Sequence, residues 1–207
     1  MKLFYSIPEQ VYKICGFLFF IGATCHKVYL YPIYSNKVLW GIETSIFLLI
    51  ALFIVTRKPL KKKAEGFNET IIPLLGGIWP FFLLFTKRCQ FGLTYQKEIL
   101  LIMCVSTGFS LFSYLFLNTA FTIMVEAREL KSSGPYKYIL HPVYSGQIIT
   151  AIAVLAWRFS LVNIFVCCTF IAIQNFRASL EEQKLASAFP EYKDYSEDKA
   201  RFFPYIW

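Results

Sequence analysis

Apolar residues come in long blocks along this chain, and charged and turn-forming residues fall into the short segments between them. The blocks 38–56 and 96–124 are nearly continuous. Block 70–86 carries Pro73, Gly76, Gly77 and Pro80, and block 11–31 is flanked by Lys13 at one end and by His26 and Lys27 at the other. As a helix, 38–56 rises about 28 Å, close to the roughly 30 Å hydrocarbon core of a bilayer. The pattern predicts four transmembrane helices, the third kinked where prolines free carbonyls that neighbouring groups must satisfy. Two shorter blocks, 143–157 and 161–176, are separated only by Arg158, Phe159 and Ser160 and predict a helical hairpin that dips into the membrane and returns. The expected fold class is all-α integral membrane: four transmembrane helices plus a C-terminal membrane helical hairpin, then a cytoplasmic C-terminal helix and tail.

Composition agrees and removes alternatives. Of 207 residues, 57% are hydrophobic and 16% charged, with a mean hydropathy of +0.51, so lipid is the main solvent. No linker, low-complexity tract or internal repeat interrupts the chain, which reads as one membrane domain, 1–207. Within it, helices over 1–124 form the substrate side and 125–207 a second module. The net charge of +8 suits an anionic lipid surface better than nucleic acid. With the N-terminus in the cytoplasm, that side holds 15 Lys and Arg against 6 opposite, so the positive-inside rule places both termini in the cytoplasm. The N-terminal MKLFYSIPEQVYK has no small-residue cleavage site and reads as retained. Five of the six cysteines lie within apolar blocks and none forms C-x-x-C, which reads as buried small hydrophobes. With only His26 and His141, a metal centre is not expected. Glu43 and Asn118 stand inside apolar blocks without an assigned role.

The segment GPYKYILHPVYSG, from Gly134 to Gly146, interrupts this apolar background. Gly134-Pro135 is a turn signal, and Pro142 suits the first position of a helix, which puts His141 just outside the helix mouth. Free N–H groups and the positive end of the helix dipole make that mouth a site for a carboxylate or phosphate. Gly146, one turn in, allows a ligand or another helix to come close. Tyr136, Tyr138 and Tyr144 offer flat faces for a purine, or interfacial anchors. Further on, Arg177 and Glu181 are four residues apart and share a helix face, with Glu182 beside them.

SGPYKYILHPVYSG followed by FRASLEEQKLASAFPEYKDYSEDKARFFP resembles the isoprenylcysteine carboxyl methyltransferase family and its phospholipid-methyltransferase relatives, over roughly the last third of the chain. The resemblance rests on Gly134, Pro135, Tyr136, His141, Pro142, Tyr144 and Gly146, then Arg177, Glu181, Glu182, Leu185, Phe189, Tyr192, Tyr195 and Arg201-Phe202. Leu140 stands where the family has Arg, Pro190 where Gly is common, and the Phe189 to Tyr192 spacing is one residue short.

The resemblance implies an integral membrane enzyme using S-adenosylmethionine, with no metal. It implies a cofactor site of Gly134, Tyr136, His141, Pro142, Tyr144, Gly146 and Glu182, and places Arg177 and Glu181 at the acceptor. The acceptor is lipophilic: the carboxylate of a prenylated cysteine is favoured, with an amine or thiol possible. The tail after Ala186 is a lid over the cofactor or an aromatic interfacial anchor. Two alternatives stay open: a membrane reductase using NADPH, and a non-catalytic scaffold.

Overall fold

A computed structural model describes residues 9–34 and 36–204; most of the N-terminal segment MKLFYSIPEQVYK and the last tail aromatics fall outside these. Two helices, α1 (Glu9–Tyr29) and α2 (Lys37–Thr56), form an antiparallel pair. The Asn36 side chain caps α2 by accepting from Leu39 N–H at 2.9 Å. Glu43 has its explanation here: its carboxylate pairs with the Lys27 ammonium and accepts from the Tyr34 hydroxyl at 3.2 Å. The charge at this helix pair is therefore compensated within the fold.

Helix α3 (Gly66–Ile78) passes into a 3₁₀ segment, Trp79–Phe85. Pro73 cannot donate to the Glu69 carbonyl four residues back, and Val125 N–H takes that acceptor at 2.9 Å. The expected kink is a change of helix type at Trp79 and Pro80, held against a later helix by the Trp79 indole donating to Thr169 at 2.7 Å. A short α4 (Gln90–Thr94) leads into α5 (Gln96–Leu117). The helix stops there, seven residues short of the predicted 124. Asn118 takes a positive φ of 45°, tolerable for Asn, and turns the chain out of the helix. Beyond it Ala127 pairs with Lys62, and the buried Arg128 donates to the Lys58 carbonyl and, at 2.9 Å, to Glu126.

The last two long helices are α6 (Pro142–Trp157) and α7 (Leu161–Ala188). The second runs well past the predicted 176, so the whole Arg177-to-Glu182 motif rides on it. Buried Lys184 near its end pairs with Glu69 at 2.7 Å and donates to the Lys63 carbonyl at 3.0 Å, tying α7 to the start of α3. A five-residue α8 (Tyr192–Ser196) follows.

Among the described residues four helices are long and apolar enough to cross a membrane: Lys37–Thr56, Gly66–Phe85, Gln96–Ala120 and Leu161–Ala188. This set departs from the expectation, since α7 joins it and α1 is not one of the four. The protein is a multi-pass, all-helical membrane protein.

Helices α5 and α6 lie in close contact. A Cβ on Gly146 would run into Ser110 Oγ and lie 2.6 Å from the Ser106 carbonyl oxygen. One turn on, Thr150 meets Ser106 hydroxyl to hydroxyl at 2.7 Å. Gly146→Ala is expected to destabilise the protein by about 1–3 kcal/mol through overpacking. A lowered thermal unfolding midpoint in detergent checks this; an unchanged midpoint would mean that α5 yields at no cost.

Candidate active site

The turn that starts the site is set by Gly134 and Pro135. Gly134 has φ +59°, and a side chain there would press into the Phe116 ring. A single 3₁₀ turn, Gly134–Lys137, buries Tyr136. Burial pushes the Tyr136 phenol well above its ordinary range, so it stays a neutral hydroxyl. Pro142 opens α6, and His141 is its N-cap residue without capping it through the side chain. The first-turn N–H groups of Val143 and Tyr144 therefore have no intrahelical partner.

The imidazole of His141 lies flat against Tyr144, with ring centroids 5.3 Å apart and planes 3° from parallel. Its Nε2 is 2.9 Å from Glu182 Oε1, while Nδ1 is 3.7 Å from Glu181 Oε2, too long for a hydrogen bond. An ionised carboxylate only accepts, so Nε2 is the donor to Glu182. Helix α7 thus brings two carboxylates, held by the His141 and Tyr144 side chains, to the end of α6 whose dipole favours negative charge.

On α7, Arg177 Nε donates to Glu181 at 3.0 Å and Nη2 to the Ile123 carbonyl at 3.1 Å, with the guanidinium 5.2 Å from the Tyr144 ring centroid. Tyr144 O–H donates to Glu181 at 2.5 Å. This explains how a charge survives at the end of an apolar helix: the Arg177 side chain, 13% exposed, is paired, stacked and hydrogen-bonded at once.

The tail lies across the mouth. Ile139 and Ala200 form a parallel bridge, Leu140 N–H donates to the Ala200 carbonyl at 2.9 Å, and His141 N–H to the Arg201 carbonyl at 3.1 Å. Arg201 grips Glu182 through Nε at 2.8 Å and Nη2 at 3.3 Å, and Nη1 reaches Asn175 at 2.6 Å. Ser145 O–H donates to the Phe202 carbonyl at 2.6 Å, which sets the Phe202 ring 5.9 Å from His141. Tyr195 O–H donates to the Tyr136 carbonyl at 2.8 Å, and burial raises its phenol to about 12. Tyr205 and Trp207 lie outside the described residues.

Of the residues singled out from the sequence, the fold brings His141, Tyr144, Arg177, Glu181 and Glu182 to one point, with Pro142 shaping it from behind. Gly134 and Tyr136 support the turn, and Gly146 faces α5 instead of the mouth. Sequence reasoning missed Arg201 as a member and also missed a polar line just inside the bundle. There Gln174 donates to Gln147 at 2.6 Å and Gln147 to Tyr114 at 3.3 Å, and Gln174 Oε1 is buried without a partner. The available signal was two glutamines within apolar blocks, one turn from Tyr144 and from Arg177.

Residues 92–187 match the model of the isoprenylcysteine carboxyl methyltransferase (ICMT) family, a stretch that runs from α4 almost to the end of α7. Over that stretch the chain is ICMT-like, in keeping with the resemblance carried by the two motifs. No curated protein matches the chain.

Beside the main-chain seam, the buried Ser145 hydroxyl adds a side-chain tie from the mouth to the Phe202 carbonyl of the tail. Ser145→Ala removes a hydrogen bond of about 1 kcal/mol, so opening of the tail should rise several-fold. Limited trypsin cleavage at Lys199 and Arg201 should accelerate accordingly while helix content is unchanged; an unaltered cleavage rate would mean that other contacts hold the tail.

Proposed function

Since residues 92–187 are ICMT-like, we propose that this protein transfers a methyl group from S-adenosylmethionine to a membrane-associated acceptor, the C-terminal carboxylate of a prenylated cysteine. One observation carries the reading: two motifs more than thirty residues apart in sequence meet at the α6 mouth, where His141, Tyr144, Arg177, Glu181 and Glu182 form one connected group.

The residues at this mouth fit the cofactor's chemistry. S-adenosylmethionine is a cation at its sulfonium and ammonium and has a flat purine. Glu181 and Glu182 suit positive groups, the His141, Tyr144 and Phe202 rings suit a planar one, and the unpaired first-turn N–H groups of α6 suit the amino-acid carboxylate. The same two carboxylates oppose the phosphates of NADPH, which disfavours the reductase alternative. When bound, the cofactor supplies an electrophilic methyl whose transfer to a carboxylate oxygen neutralises opposite charges, so no metal, acid or base is needed.

The chain's part is then to bind, orient and keep water out. Among the described residues Arg177 Nη1 has no hydrogen-bond partner, and the other arms of the guanidinium are fixed by Glu181 and Ile123, so Nη1 is a pre-aimed donor for the acceptor carboxylate. Glu181 and Tyr144 hold the plane of Arg177, and the tail covers the mouth. Gln174 and Gln147, one turn inside the mouth, offer polar partners to the acceptor's amide. With both termini cytoplasmic, the donor enters from the cytoplasm and the acceptor from the bilayer.

Calorimetric titration of detergent-purified protein with S-adenosylhomocysteine tests the cofactor site: saturable binding is expected, weakened about tenfold or more by His141→Ala. No binding by a folded wild-type sample would overturn the reading. Arg177→Ala is expected to keep S-adenosylhomocysteine binding and lose transfer by a factor on the order of 10² or more; full activity in that variant would remove Arg177 from the mechanism.

A further inference from the structure

A second site lies at the far end of the bundle, about 24 Å along α6 from the His141 mouth. There the main chain before α4 is joined to the end of α6. Cys89 N–H donates to the Trp157 carbonyl at 3.2 Å, and any side chain at Gly92 would collide with that same carbonyl group. The junction sets two guanidiniums on one indole: Arg88 is 4.6 Å and Arg158 5.9 Å from the Trp157 ring centroid. Arg158 donates Nη1 to the carbonyls of Leu84, at 3.1 Å, and Thr86, while its Nε is buried without a partner. Among the described residues, the ion pairs involve neither Arg88 nor Arg158.

Two like charges brought together without a counter-ion are costly, and burial together with Arg88 pushes the Arg158 guanidinium below its ordinary value. The other basic residues of this face do not share the problem equally, since Lys27 is neutralised by Glu43 and Lys37 rests on Tyr31. A largely apolar hollow lined by Cys89, Gln90, Phe91, Ala156 and Phe159 opens beside this pair, its lining residues adjoining Arg88 and Arg158 in the chain. Lys87 is exposed beside it. A ligand that suits both halves has a compact anion at one end and hydrocarbon at the other, and Arg pairs with phosphate oxygens through two parallel hydrogen bonds.

We propose that this hollow binds the headgroup of a membrane phospholipid, with Arg88 and Arg158 holding the phosphate and Phe91, Ala156 and Phe159 receiving the glycerol and first methylenes. The site is separate from the methyl-transfer reading and stands or falls without it. It fixes the depth of the α4 to α7 end of the bundle at one leaflet's phosphate plane.

The test uses detergent-purified full-length protein titrated with dihexanoyl phosphatidylglycerol, with inorganic phosphate and dihexanoylglycerol in parallel. Saturable binding of the phospholipid is expected, with neither control matching it. Arg88→Gln should weaken it about tenfold or more with little change in the lipid-free unfolding midpoint, because Arg88 is exposed and, among the described residues, rests on the Trp157 ring without a hydrogen bond. Arg158→Gln should weaken it as well, with a lowered midpoint from the lost Leu84 and Thr86 contacts. Unchanged affinity in Arg88→Gln overturns the proposal. An equal response to inorganic phosphate overturns the lipid as occupant, and an equal response to dihexanoylglycerol overturns the phosphate contact.

Discussion

The Glu182 carboxylate joins three separate parts of the chain at one point. It stands on α7, accepts from His141 at the start of α6, and is gripped by Arg201 from the tail. Its neighbour Glu181 carries Arg177 and Tyr144 in the same way. Placing two carboxylates at the positive end of α6 offsets their desolvation, and each carboxylate in turn fixes a cation or a ring that would otherwise be mobile. The orientation of His141, the plane of Arg177 and the path of the tail all follow from that arrangement.

The membrane setting and the site motifs were legible in the sequence because each depends on local signals. Long apolar blocks mark where the helices lie, although α5 ends seven residues before 124 and α7 runs twelve past 176, and the prolines at 80 and 142 mark where a helix changes type or begins. What was not legible depends on tertiary contact. Asn118 ends α5 inside an apolar run, since a left-handed residue leaves no mark in hydropathy. The partner of Glu43 is set by the helix pair, which brings Lys27, sixteen residues earlier, alongside it. Gly146 reads equally as a ligand contact or a packing glycine, and only the position of Ser110 decides for packing. Arg201 could be seen in the motif, but its grip on Glu182 requires the tail to fold back along Ile139 to His141, which local sequence does not dictate.

The two ends of α6 divide the work between opposite chemistries. At its start, carboxylates and rings gather around unpaired N–H groups, a setting for a cation-bearing cofactor and a polar acceptor. At its end, two guanidiniums share an indole beside an apolar hollow, a setting for a lipid phosphate. A 16-residue helix thus links the proposed methyl-transfer mouth to the proposed lipid site at the other end of the bundle. The polar line of Gln174, Gln147 and Tyr114 lies between them, one turn inside the mouth.

The methyl transfer proposed for this mouth ends on a prenylated carboxylate. Protein reconstituted in liposomes, given S-adenosylmethionine with an isotopic methyl label and an N-acetylated farnesylcysteine, should yield base-labile methyl ester in proportion to enzyme. A folded, S-adenosylhomocysteine-binding sample that leaves this carboxylate unlabelled, while labelling an amine or thiol lipid, would contradict the assignment of the acceptor and of Arg177 as its holder.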